Sequence, residues 1–361
     1  MFDPHRHLRA DGETVQSVLP SYGNNYGCRA AFAGKSGTGD TFSICLIPGP
    51  FILQEEIMRA IIDIGTNSVR LLIAEKDDKE EWKVLKKDLR STRLGEGMTD
   101  KAFIGKGPRE RTLKAIEEFT AAAKLAGASE IFAYGTSIMR DAANGAEFSD
   151  EVTEATGVPV RILSGKEEAY YSYIGAAGTP SVVTSVVDIG GGSTEVCMGF
   201  GTDIGMRHSF RLGCVRCSKQ FDTTTPRGLA ELKKHCFALF RDTDLMDSMK
   251  NVKRWIGVGG TVTSLASMLQ ELEVYDSAKV QDYVIHQEDV NRMLKHLSSL
   301  SYDEKCHLTG LMPERADIIV AGVAILDSLM EYFALPEIIV SDRDLSEGLL
   351  DADVLHPNES R

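Results

Sequence analysis

Two short segments of the chain repeat one another, and both carry residues suited to gripping phosphate. Asp63-Ile64-Gly65-Thr66-Asn67-Ser68 and Asp188-Ile189-Gly190-Gly191-Gly192-Ser193 place Asp, Ile, Gly and Ser at the same offsets, each after a β-branched run. Each reads as strand, tight turn, strand. Glycine lets the turn backbone approach a ligand closely, so its amides can converge on an anion. The aspartate at each strand end can hold a cation, directly or through water. A single such turn is an ordinary hairpin. Two with matching flanks, one per domain, describe jaws facing across a cleft, closing on a phosphate chain with a metal between them. A third glycine loop, Gly257-Val258-Gly259-Gly260-Thr261, lies between an apolar strand end and a helix start, with Thr261 as its candidate N-cap.

The rest of the chain must position these turns. Its 361 residues suffice for two domains, and 43% hydrophobic with 26% charged residues is ordinary for a globular protein. The net charge of −13 argues against general nucleic-acid binding, so cations for a polyanionic substrate must be concentrated locally. No apolar run approaches a membrane span, and the start of the chain lacks the apolar core of a secretory signal. The expected location is therefore cytoplasmic, with no membrane partner. Seven scattered cysteines form no disulfide framework, and Cys214-x-x-Cys217 has no second pair to complete a zinc site. Residues 1–57 differ in composition, show no sustained periodicity, and are expected to be a disordered extension. Their Gly34-Lys35-Ser36 lacks the spacing of a nucleotide-binding loop. Domains are expected at 58–178 and 179–361, the last segment packing back on the first domain. Within the first domain, Pro108 reads as a first helical position, Leu113, Ile116 and Phe119 as the buried face, Thr120 as polar-facing, and Gly127 as the stop.

From Met58 to about Asp353 the chain resembles the exopolyphosphatase / guanosine pentaphosphate phosphohydrolase family. The matching pieces include both turns, Arg93-Leu-Gly-Glu-Gly97, Gly135-Thr-Ser-Ile-Met-Arg140, Ile162-Leu-Ser-Gly-Lys-Glu-Glu168, Leu212-Gly-Cys-Val215, the third loop, and Leu311-Met-Pro-Glu-Arg-Ala-Asp317. The resemblance implies an α/β fold of two ribonuclease-H-like domains of the actin-like superfamily, an interdomain active-site cleft, Mg²⁺ or a similar ion, and a homodimer.

Hydrolysis needs a water aimed in line at a terminal phosphorus and a base to take its proton. Ser164 and Glu167 form a capping box, which leaves Glu168 free to face the cleft; the resemblance makes Glu168 the catalytic base. It also assigns Glu195 to the active site, beside Asp188 and Asp63 as metal-binding carboxylates. Arg93 and Arg140, on expected loops, are implied phosphate ligands, with Arg70 and Lys166 as further candidates. The end motif departs from the family pattern. Asp344 stands where glycine is usual and Ser346 where arginine is, with Arg343 as a candidate substitute. The expected form is the short, two-domain one, without the extra helical domain of longer relatives. The expected activity is release of orthophosphate from inorganic polyphosphate. Alternatives are guanosine pentaphosphate hydrolysis, a sugar- or acetate-kinase-like transferase, and a non-catalytic polyphosphate or alarmone sensor.

Overall fold

The computed structural model describes residues 28–31, 45–48, 57–77, 79–97, 103–243 and 245–350. Met1–Glu56 and Ile57–Arg361 form separate compact units. In the first, β1 (Cys28–Ala31) and β2 (Cys45–Pro48) pair as an antiparallel ribbon. The remainder of the expected extension, with the Gly34-Lys35-Ser36 segment, lies outside the described residues.

The second unit contains two sheets. The first has the order β5-β4-β3-β6-β7, from β3 (Met58–Ile64), β4 (Val69–Lys76), β5 (Trp82–Arg90), β6 (Glu130–Gly135) and β7 (Val160–Ile162). β3, β4 and β5 are antiparallel; β3, β6 and β7 are parallel. The second sheet, β10-β9-β8-β11-β13-β12, repeats that plan and adds one antiparallel edge strand, β12. Its strands are β8 (Thr184–Ile189), β9 (Thr194–Phe200), β10 (Asp203–Phe210), β11 (Arg254–Val258), β12 (Val284–His286) and β13 (Glu337–Val340). β3 is a continuous apolar run because helices cover both its faces, whereas the edge strand β5 carries exposed lysines.

The helices of the first lobe are α1 (Lys106–Leu125), α2 (Ser137–Asp141), α3 (Gly145–Thr156) and α4 (Gly165–Ala177). Those of the second lobe are α5 (Cys214–Gln220), α6 (Pro226–Arg241), α7 (Leu245–Met249), α8 (Gly259–Leu269), α9 (Ser277–Val280), α10 (Gln287–Ser299), α11 (Tyr302–Cys306) and α12 (Ile319–Tyr332). α12 is apolar around nearly its whole circumference because it is buried against α5, α6, α8 and α10. Two local expectations for α1 change. The helix begins at Lys106, so Pro108 occupies the third helical position, still within the turn whose amides lack helical acceptors. Thr120 is buried beside Phe119, because α1 turns a broader face to the sheet than its large apolar residues alone indicate.

The last helix, α13 (Leu345–Leu350), returns to the first lobe. Leu345, Leu349 and Leu350 pack with Ile61, Leu72, Tyr134 and Leu163. α13 crosses α4 so closely that a Cβ on Gly175 would lie 1.9 Å from the Asp344 carbonyl oxygen, and one on Gly348 1.9 Å from that of Tyr171.

Candidate active site

The repeated segments fold in the same register. In β3–β4, Asp63 lies opposite Arg70 and Ile64 opposite Val69; in β8–β9, Asp188 lies opposite Glu195 and Ile189 opposite Thr194. Each turn closes with the same bond, Gly65 N–H donating to the Ser68 carbonyl and Gly190 N–H to that of Ser193, both at 3.0 Å. The two turns approach from opposite lobes. A Cβ on Gly191 would sit 3.0 Å from Thr66 Cβ, and one on Gly192 2.6 Å from Ser137 Oγ, so only glycine allows this approach. Arg216 fixes the second turn, its Nε donating to the Gly192 carbonyl (2.8 Å) while its Nη2 reaches Asp141 of α2 (2.6 Å).

A cleft of about 70 Å³ separates them. Asp63, Gly65, Thr66, Asn67, Ser68, Gly190, Gly191, Gly192, Ser193, Gly259, Gly260, Glu168, Asp188 and Glu195 all line it. Three anticipated phosphate ligands do not. Arg140 lies on helix α2, not on a loop; its guanidinium donates to the Glu168 carboxylate and, at 2.8 Å, to the Leu163 carbonyl. Arg93 adopts a left-handed backbone (φ 54°) and pairs with Asp317 across the lobes. Thr261 is not an N-cap: α8 already starts at Gly259, and Thr261 is buried against Gly322 of α12.

Four carboxylates share the cleft floor, and burial governs all of them. Asp63 and Asp188 are each pushed up from 3.8 to about 6, chiefly by desolvation. Arg70 opposes the shift at both, and Ser172 Oγ donates to Asp188 at 2.8 Å. Burial and then Asp188 push Glu195 up against the hydrogen bond it accepts from Ser209 Oγ (2.6 Å). Burial and then Glu195 hold Glu168 well above the usual carboxylate range, against the pull of Arg140. The capping box forms as expected: Ser164 Oγ accepts from Glu167 N–H (3.3 Å), and Glu167 accepts from Ser164 N–H (2.8 Å). Glu168 thus sits in the first turn of α4, 5% exposed.

Two cleft residues, Arg315 and Ser137, were not anticipated as ligands. Arg315 is buried and lines the cleft, and its guanidinium makes no ion pair or hydrogen bond among the described residues. A Cβ on Gly260 would strike its guanidinium at 2.0 Å, so the third glycine loop exists partly to admit this arginine. The only sequence signal was its place in Leu311–Asp317. Ser137 Oγ, Thr66 Oγ1 and Asp63 Oδ1 are buried in the cleft walls with no partner. A buried cation facing unpaired oxygens and turn amides is a receptor for an oxyanion. The free Asp63 oxygen and the nearby Asp188 suit a hard divalent cation. Among the described residues no three carboxylate, imidazole or thiol groups could cage one unaided. That fits an ion held by one or two carboxylates, water and substrate phosphates. Asp344, the departure in the end motif, caps α13 through Ser346 N–H (2.9 Å) and lies 3.4 Å from Arg70, which also reaches Asp63 at 3.1 Å. Arg70, rather than Arg343, is the arginine this motif brings to the cleft.

This architecture has known counterparts. The chain is similar to the Ppx/GppA protein of Aquifex aeolicus, 28% identical with a TM-score of 0.69, over 84% of this chain and 99% of that one. It resembles in fold an exopolyphosphatase of Cytophaga hutchinsonii, 24% identical with a TM-score of 0.75, over 81% and 96% of the two chains. In sequence it is 32% identical over 313 residues to the bifunctional 3-dehydroquinate synthase/phosphatase of Fusobacterium nucleatum. That match covers 82% of this chain but 46% of the relative, so the chain spans about half that protein's length. It is 28% identical over 313 residues to exopolyphosphatase 2 of Mycobacterium tuberculosis, covering 80% of this chain and 96% of the relative. The pattern of the Ppx/GppA phosphatase family matches residues 72–356, most of the chain, and the chain belongs to that family of hydrolases acting on phosphoanhydride bonds.

Proposed function

We propose that the chain is an exopolyphosphatase that releases orthophosphate from the end of inorganic polyphosphate. The carrying observation is the cleft where the Arg315 guanidinium and the Thr66 and Ser137 hydroxyls have no partner among the described residues, beside Glu168 on its capped helix. The turn amides and Arg315 would hold the terminal phosphate. Asp63 and Asp188 would hold Mg²⁺, which when bound offsets phosphate charge and polarises the phosphorus. Glu168, deprotonated, takes a proton from the attacking water as its oxygen bonds to the terminal phosphorus. The bridging P–O bond breaks, and the shortened chain leaves with the bridging oxygen's electron pair. Arg140 holds the Glu168 carboxylate in place, and Glu195, beside Asp188, orients water or metal. The test is phosphate release from short and long polyphosphate with Mg²⁺ by the wild type and Glu168→Ala. Removing a general base lowers kcat by roughly 10²–10⁴-fold; release that survives in the variant excludes Glu168 as the base.

A second reading, guanosine pentaphosphate hydrolysis, draws on a neighbouring cavity of about 610 Å³ that shares Arg70, Gly259, Gly260 and Arg315 with the cleft and has room for a nucleoside. Turnover of the two substrates side by side separates the readings.

A further inference from the structure

A substrate chain whose end is seated between the turns must leave the cleft on one side or the other. The large cavity beyond Gly260 is a poor exit for a polyanion, because the carboxylates of its lining (Asp88, Glu273, Asp342, Asp344 and Glu347) outnumber its cations, Arg70, Lys87 and Arg315. The other rim is the reverse. The Arg93–Gly95 backbone hangs directly on the first turn, Arg93 N–H donating to the Asn67 carbonyl and Gly95 N–H to that of Thr66, both at 2.8 Å. Lys219 of α5 crosses from the second lobe to donate to the Gly95 carbonyl at 2.6 Å. Lys305 of α11 is 6% exposed and makes no hydrogen bond or ion pair through its ammonium among the described residues. Cys306, next to it, ties α11 to the Pro313 carbonyl, four residues before Asp317. Asp317 pairs with Arg93, leaves its Oδ1 buried and unpartnered, and lies within electrostatic reach of both lysines. Three cations therefore gather near Asp317, with Glu96 as a second carboxylate beside Lys219, on an otherwise acidic chain. Neither lysine ion-pairs with a carboxylate. Burying Lys305 costs desolvation energy that the attraction of Asp317 offsets only in part.

We propose that Arg93, Lys219 and Lys305 form a second phosphate subsite. It takes the units of an inorganic polyphosphate chain that follow the end seated between the turns, and Asp317 is the counter-charge that the chain displaces from Arg93. The subsite rests on the exopolyphosphatase reading and gives it a direction: the chain lies across the first turn, away from the large cavity.

The test compares phosphate release from long-chain polyphosphate and from tripolyphosphate, with Mg²⁺, for the wild type, Lys219→Met, Lys305→Met and the double variant. Losing one charge-assisted contact raises the ratio of long-chain KM to tripolyphosphate KM by roughly tenfold. Asp317→Asn lowers the same ratio. An unchanged ratio in Lys219→Met and the double variant overturns the subsite. Lys305 has a buried stem, so its variant is read only with an intact melting transition; Lys219 is exposed and carries the test by itself. If the wild type releases no phosphate from either chain, the exopolyphosphatase reading fails. The subsite is then judged by equilibrium binding of long-chain polyphosphate to wild type and Lys219→Met. Weaker binding by the variant sustains it, and equal binding sinks it.

Discussion

Glu168 is set between opposing influences. Burial and the neighbouring Glu195 favour its protonated form, while the Arg140 guanidinium favours the carboxylate. A general base works only when deprotonated, so kcat/KM should climb with pH through a value above the ordinary glutamate range. Replacing Arg140 with Gln removes the cation that holds that value down. The acid limb of the pH–rate profile should then move to higher pH. An acid limb at the wild-type position would show that Arg140 does not tune the base. Arg140 contacts the Glu168 carboxylate, a different partner from the phosphate expected of it.

Among the elements, α4 carries Glu168, the proposed base, and two devices position it. Its N-terminus is fixed by the reciprocal Ser164–Glu167 bonds, one turn from Glu168. Its middle is clamped by α13 at Gly175 and Gly348, where no side chain fits. Ser164→Ala deletes one half of the capping box and should cost about 1 kcal/mol of stability. Because the same turn holds Glu168, kcat should fall while KM for polyphosphate changes less. Chemical denaturation and steady-state kinetics check the two halves separately. A stability loss with kcat intact would make the box purely structural. Asp344 belongs to the same machinery: it caps α13 and places a carboxylate on Arg70, so the altered end motif keeps a cation at the cleft edge.

For the whole second unit, the cleft is a store of buried acid. Asp63 and Asp188 rise from 3.8 to about 6 on folding. A group whose folded pKa exceeds its unfolded one contributes stability that is full below the unfolded value and is lost as pH rises through the folded value. The metal-free protein should therefore melt at lower temperature at pH 8 than at pH 5, the loss running between 3.8 and about 6 and complete above that. A divalent cation held by ionised Asp63 and Asp188 reverses that penalty, so Mg²⁺ should raise the melting temperature more at pH 8 than at pH 5. Thermal melts in Mg²⁺ and in chelator at the two pH values test this, and an equal Mg²⁺ effect at both would separate the ion from these carboxylates. No helix among the described residues is long and apolar enough to cross a membrane.

What the sequence determined by itself is local or repeated. The Ser164–Glu167 box depends on a spacing of three residues within one helical turn, so the residue types suffice to specify it. The strand-turn-strand repeat is legible because a tight turn needs glycine within the turn, and its duplication implied two lobes of one plan. The tertiary structure decided everything that depends on residues far apart in the chain. Arg315 enters the cleft only because Gly260, 55 residues earlier, has no Cβ. Thr120 is buried, and Thr261 removed from the cleft, by neighbours that packing supplies. Arg140 turns to Glu168 and Arg93 to Asp317 because a buried or cleft-edge guanidinium takes the nearest carboxylate. Residue type marks these side chains as able to bind an anion; only the fold assigns each its partner, because electrostatic and steric contact depend on distance in space.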